Sequence, residues 1–140
     1  MLLMWTGNLK VGVKAFDDDH KRLVRLANEL HGVIEDAGVD GKIPVEEIEI
    51  ALHRLQNYLR FHCDKEETEM ARTRYPELAE HKAEHAKLAA KIADMSVRFR
   101  GSTDPKQATE LMQMIHDWLI DHIHGVDRKY AAHLNAKGIF

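Results

Sequence analysis

A single cysteine, Cys63, is all the thiol chemistry this chain holds, so no disulfide forms within it and a reducing, cytoplasmic setting is expected. Proline is almost as scarce: Pro44, Pro76 and Pro105 stand at breaks between periodic stretches, and none interrupts one. No apolar run approaches the roughly 18 residues of a membrane span, which speaks against insertion into a bilayer. The first residues, Met-Leu-Leu-Met-Trp, turn polar without a basic segment or a small-residue cleavage site, so no export signal is expected. Net charge is −3 with histidine neutral. That small negative balance gives no electrostatic footing for nucleic acid or an anionic lipid surface. Strand-like alternation, internal repeats and low-complexity tracts are missing too.

What remains is an ordinary globular composition organised by helical periodicity. A chain of 140 residues suits one domain, 1–140, with a sizeable core, and is too short for two. Phe16, His20, Leu23, Ala27, Leu30 and Ile34 step by three and four, and Gly38 and Gly41 end that stretch. Ile48, Leu52, Leu55, Leu59, His62 and Glu66 form a second stripe behind Pro44, a residue suited to a first helical turn. The third follows Tyr75-Pro76 as Leu78, His81, His85, Leu88, Ile92, Met95 and Phe99, and stops before Gly101. The fourth opens at Asp104-Pro105 and runs through Leu111, Ile115, Trp118 and His122, with Tyr130 and Leu134 beyond. The spacing predicts helices over about 17–37, 44–72, 77–100 and 105–134. Short connections make this an all-α, antiparallel up-down-up-down four-helix bundle. Residues 1–15, with Trp5, Val11 and Val13, are expected to form an N-terminal arm packed on it.

Ten histidines are many for 140 residues, and several stand on stripe positions where leucine belongs. His20 does so on the first helix, His62 and Glu66 on the second, His81 and His85 on the third, and His122 on the fourth. Residues four apart lie one above the other on a helix face, so each pair can converge on one object. Topology brings the sets together. His20 opens its helix, His62 and Glu66 close theirs, His81 and His85 open the third, and His122 comes late in the fourth. In an antiparallel bundle these places share one end.

Such a layer is costly without partners: about 1–3 kcal/mol for each unsatisfied neutral group and several more for an ionised glutamate. Each leucine given up forfeits a further 1.5–3 kcal/mol or so of burial. A bound metal offsets this, since metal binding contributes on the order of 10 kcal/mol. Imidazole and carboxylate donors suit iron, zinc or manganese, and their number exceeds what one tetrahedral ion needs, so two metals bridged by carboxylate is the economical reading. Asp127 is the bridging candidate that breaks phase. It lies five residues beyond His122, which overshoots an ideal helix face by about 140°, so a local bulge or a side chain bending back is expected there. Tyr130 and Leu134 then resume the stripe in phase with Asp127.

Asp19-His20, His62-x-x-x-Glu66, His81-x-x-x-His85 and Trp118-Leu119-x-x-His122-Ile123-x-x-x-Asp127, taken in order, resemble the hemerythrin family over essentially the whole chain. The resemblance implies two iron ions with an oxo or hydroxo bridge. One would take His81, His85 and His122, the other His20 and His62, with Glu66 and Asp127 bridging. Molecular oxygen would bind at the open position of the second iron, in a pocket walled by Trp118, Leu119 and Ile123. Relatives often carry an aromatic residue where this chain has Cys63, which lies about 100° off the ligand face and reads as an inert thiol.

Three functional classes fit this donor set: reversible oxygen binding for storage, delivery or sensing; a di-iron enzyme (an oxidase, or a peroxide or nitric oxide scavenger); and a metal store or structural zinc site. No Glu-x-x-His pair of the kind used by oxygen-activating bundles occurs. Five neutral nitrogen donors favour the ferrous state, so binding is preferred to catalysis. With no sensor partner domain in view, storage or delivery is expected, with an oxygen-consuming enzyme as recipient and the chain a monomer. His31, His53, His116, His124 and His133 flank the stripes and read as surface residues. The acidic runs Asp17-Asp18-Asp19 and Glu66-Glu67 read, Glu66 apart, as helix-cap and solvated charge.

Overall fold

The structure, a computed structural model, describes residues 3–37, 44–99 and 105–140. The expected helix breaks at Gly38, Gly41 and Gly101 and the Asp104 cap fall outside the described residues, as do the side chains of Phe99 and Val126. After a short 3-10 turn at Gly7–Leu9 come α1 (Lys14–Ala37), α2 (Val45–Arg72), α3 (Leu78–Phe99), α4 (Pro105–Asp121) and α5 (Arg128–Ala136). The last two are one bundle helix carried through a π turn at His122–Asp127. Each bundle helix packs on two others in a ring, α1 on α2 and α4 and α3 on α2 and α4. That is the closed square of an up-down-up-down bundle.

α1 starts at Lys14, three residues earlier than periodicity suggests. Gly12, at φ 101°, takes a conformation that other residues rarely adopt and turns the arm into the helix. The Val13 carbonyl then accepts from the Phe16 and Asp17 amides at 3.1 and 2.9 Å. Asp17 in turn accepts the Val11 amide at 2.7 Å, so this buried carboxylate serves the helix start. The arm itself buries Leu9, Val11 and Val13. It is tied by Leu3 to Asn28 of α1 through paired hydrogen bonds of 2.9 and 2.8 Å. On the other side Arg128 donates to the Asn8 carbonyl, and Asn135 to that of Gly12 at 3.1 Å. It therefore runs along the seam between the first and last helices.

The α2–α3 connection is tight. The Tyr75 amide bonds back to the Met70 carbonyl at 2.8 Å, with Arg74 to Ala71 at 3.2 Å. This is a Schellman closure in which Arg74, at φ 58°, stands where glycine is usual, at about 1–2 kcal/mol. Pro76 follows and cannot extend α2.

Apolar layers bracket the polar one. On one side Leu23, Leu30, Ile48, Leu52, Leu111 and Ile115 are all but fully buried. On the other, Phe16, Met70, Tyr130 and Leu134 close the end of the bundle. The π turn fits between them. Its i→i+5 pattern brings residues five apart into register, so both His122 and Asp127 face inward and are buried. It is in effect one extra residue inserted into a continuous helix, and α5 resumes with Tyr130 and Leu134 on the buried face. Gly125 lies in that turn, exposed, and a Cβ there would meet nothing within 4 Å. Deleting Gly125 is expected to restore a regular helix, leaving the metal-free melting temperature unchanged or higher. Axial displacement of Asp127 should weaken zinc retention at least tenfold. Calorimetry and chelator competition check this, and undiminished zinc binding would show that the turn is dispensable.

Candidate metal centre

His20 comes from α1, His62 and Glu66 from α2, His81 and His85 from α3, and His122 and Asp127 from opposite ends of the π turn. None is more than 6% exposed, and His20, Glu66 and Asp127 are wholly buried. The structure gathers them into two groups that share both carboxylates: His81, His85 and His122 with Glu66 and Asp127, and His20 and His62 with the same pair. Within each group the ligating atoms lie within 4.8 Å of one another.

The carboxylates divide their oxygens between the groups. Glu66 turns Oε1 to Nε2 of His62 and, at 3.6 Å, of His20, and Oε2 to His81 at 3.3 Å. Asp127 turns Oδ2 to His20 at 2.9 Å, and Oδ1 to His122 at 2.9 Å and His81 at 3.3 Å. These approaches are not aligned as hydrogen bonds. Nε2 of all five histidines and all four carboxylate oxygens are buried without a hydrogen-bond partner. Buried polar atoms left in this state are expensive, and a set aimed at common centres is what a pair of cations would satisfy. The residues present fit a metal.

Charge tells the same story. Burial opposes ionisation of Glu66 and Asp127, yet the surrounding histidines hold both well below the usual carboxylate range. Burial likewise disfavours protonated histidine, but Asp127 and Glu66 prevail at His20, pushed up to about 10, and at His81, pushed up to about 9. At His85 burial wins and takes the ring down to about 4. Without metal, the two buried carboxylates favour the protonated rings of His20 and His81.

Sequence reasoning missed Asp19, which it assigned to a cap or a solvated face. The side chain is buried between α1 and α2, where Oδ2 accepts from His62 Nδ1 at 2.8 Å and Lys65 Nζ at 3.0 Å, and Oδ1 from the Tyr58 hydroxyl at 2.9 Å. Burial would raise its carboxyl, but these donors hold it at about 2. Adjacency to His20 was the available signal; the identity of its partners, far away in sequence, was not.

Leu119 and Ile123 are fully buried, and Trp118 is half-buried with its ring stacked on His122 at 5.2 Å between centroids and 25° between planes. Cys63 is buried and lines a cavity of about 400 Å³ between α2 and α3; burial pushes its thiol well up, toward an inert state. Among the flanking histidines, His53 and His124 are exposed, while His31 and His116 are half-buried. His133 departs from the surface reading: half-buried, it donates from Nε2 to the Thr73 carbonyl at 2.8 Å and ties α5 to the end of α2.

Residues 11–134 match the family model described as the hemerythrin HHE cation binding domain. A bacteriohemerythrin of Methylococcus capsulatus is 36% identical over 137 residues, spanning 96% of this chain and 98% of that protein. One of Stenotrophomonas maltophilia is 31% identical over 138 residues, spanning 96% and 85%. A myohemerythrin of Riftia pachyptila is 26% identical over 131 residues, spanning 94% and 92%. Among solved structures, a wild-type hemerythrin superposes with a TM-score of 0.81 at 32% identity, covering 96% of this chain and 98% of that one.

The shifted histidines set a pH dependence. His20 and His81 are raised above their ordinary value of 6.5, to about 10 and about 9. Their contribution to stability is complete below pH 6.5 and is lost as pH rises through 9 to 10. The melting temperature of the metal-free protein should therefore fall over that window. Stabilisation by added zinc should grow over the same range, because protons no longer compete for the ring nitrogens. A metal-free melting temperature that held constant or rose from pH 6.5 to 10 would contradict the assignment.

Proposed function

This chain belongs to the hemerythrin family, and from that premise we propose that it holds two iron ions and binds molecular oxygen reversibly. The observation that carries the reading is the division of the Glu66 and Asp127 oxygens between two histidine groups. On it, His81, His85 and His122 would hold one ion and His20 and His62 the other, with Glu66 and Asp127 shared between them. The iron pair, when bound, supplies the electrons and the vacant coordination position that dioxygen requires. The protein's part is to orient, to exclude water and to bias the redox state. Three nitrogens on one side and two on the other leave the His20–His62 side less crowded. Five neutral donors against two carboxylates favour the ferrous state, and hence binding over cleavage of oxygen.

Leu119 and Ile123, fully buried beside His122, exclude water and stray protons from the space between the helices. Trp118 braces the His122 ring by stacking. The relatives named above carry the names of hemerythrins and not of enzymes, which supports a binding role. We assign it to oxygen storage or delivery by a monomer, with an oxygen-consuming enzyme as recipient.

The test is metal analysis with visible absorption recorded as the reduced protein is cycled between oxygen and vacuum. Two irons per chain and an oxygen-dependent band that vanishes under vacuum are expected. Iron that oxidises once and does not return would move the function to the di-iron enzyme class. Zinc, or no metal, would remove the oxygen reading altogether.

A further inference from the structure

We propose that Asp19 is a positioning residue for His62, one that fixes which ring nitrogen faces the centre and strengthens that nitrogen as a donor. The inference rests on the metal-binding reading given above. Asp19 Oδ2 lies 2.8 Å from His62 Nδ1, and the other nitrogen of the same ring, Nε2, faces Glu66 without a hydrogen-bond partner. With the Lys65 ammonium at 3.0 Å and the Tyr58 hydroxyl at 2.9 Å also directed at it, the carboxylate can only accept from the ring. With a metal at Nε2, His62 would therefore keep its proton on Nδ1 and give the ion the lone pair of Nε2. A carboxylate behind a ligating imidazole draws on the N–H and makes the opposite nitrogen more basic.

Neither His20 nor His85 has such a carboxylate behind its ring. His20 Nδ1 is buried with no partner, and the nearest carboxylate to His85 Nδ1 is Glu67, at 3.8 Å. The start of α1 does not require Asp19, because Asp17 already accepts the Val11 amide there. Nor is the carboxylate inexpensive to keep: it is 6% exposed and sits beside a layer that holds two others. A plain tie between α1 and α2 would explain Tyr58 and Lys65, both on α2, but not why the carboxylate also meets a ring whose other nitrogen faces the centre. The consequence falls on the His20–His62 half of the centre. Its histidine donors are fewer, and a more basic His62 there would strengthen that half's hold on a bound ion and favour the ion's oxidised form.

Zinc is the probe, since it reports ligand strength without oxygen chemistry. Asp19→Asn keeps the shape and the hydrogen bond but removes the charge. It should weaken one of the two zinc sites by roughly 10–100-fold in chelator competition and leave the other within about threefold. Tyr58→Phe and Lys65→Met cut the interhelix tie while keeping the carboxylate on His62; each should lower the melting temperature yet hold both zinc affinities within about threefold. In the zinc-loaded wild type, nitrogen-15 spectra should show His62 metallated at Nε2 with its Nδ1 proton at low field, moving upfield in Asp19→Asn. Iron-loaded Asp19→Asn should show a raised reduction potential. Unchanged zinc affinity in Asp19→Asn, or equal losses in the Tyr58 and Lys65 variants, would overturn the proposal. Should Asp19→Asn fail to fold, a wild-type His62 bound through Nδ1 would do the same. A wild type that takes up no zinc would instead remove the metal-binding reading.

Discussion

Burial of seven donor side chains in one cross-section of the bundle is the constraint on which the structure depends. Four helices meet there with imidazoles and carboxylates in place of leucines, and the donors cannot satisfy one another: their approaches are close but misaligned. In an interior of low dielectric, such a layer is tolerable only with protons or cations distributed through it. The apolar layers on either side make the cost acceptable. Phe16, Met70, Tyr130 and Leu134 close one end, and the leucine and isoleucine layers fill the other. The polar layer is thus clamped between apolar layers on both sides.

The ring of helices and the place of the layer were legible for a common reason. Helical period and chain order are properties of the sequence alone, and together they bring His20, His62, His81, His85 and His122 to one end before any distance is known. Asp127 was legible only as an anomaly. An ideal helix turns it away from His122, and the in-phase return of Tyr130 and Leu134 marked an inserted residue without saying how the backbone accommodates it. The π turn is that accommodation. α1 begins earlier than periodicity suggests because Gly12 and Asp17 set its start by turn geometry and a hydrogen bond that periodicity does not encode.

Asp19 escaped because its meaning is entirely tertiary. Neighbouring acids in Asp17-Asp18-Asp19 look alike, yet one accepts the Val11 amide, one pairs with exposed Lys14 at 2.7 Å, and one reaches α2. A helix turns about 100° per residue, so three consecutive identical residues meet three environments. His133 shows the same limit: its partner, the Thr73 carbonyl, is a backbone atom at the end of another helix, invisible to any pattern of side chains.

The contact between His20 and Asp127, at 2.9 Å, joins the first bundle helix to the last. While the chain is being synthesised, three helices emerge from the ribosome before Asp127 exists. Until then Glu66, which offers an oxygen to each histidine group, stands without its counterpart. A nascent or truncated chain would thus present scattered histidines but no enclosed pair of donor groups. An ion shared by both groups would therefore have to enter after the fourth helix has closed the bundle.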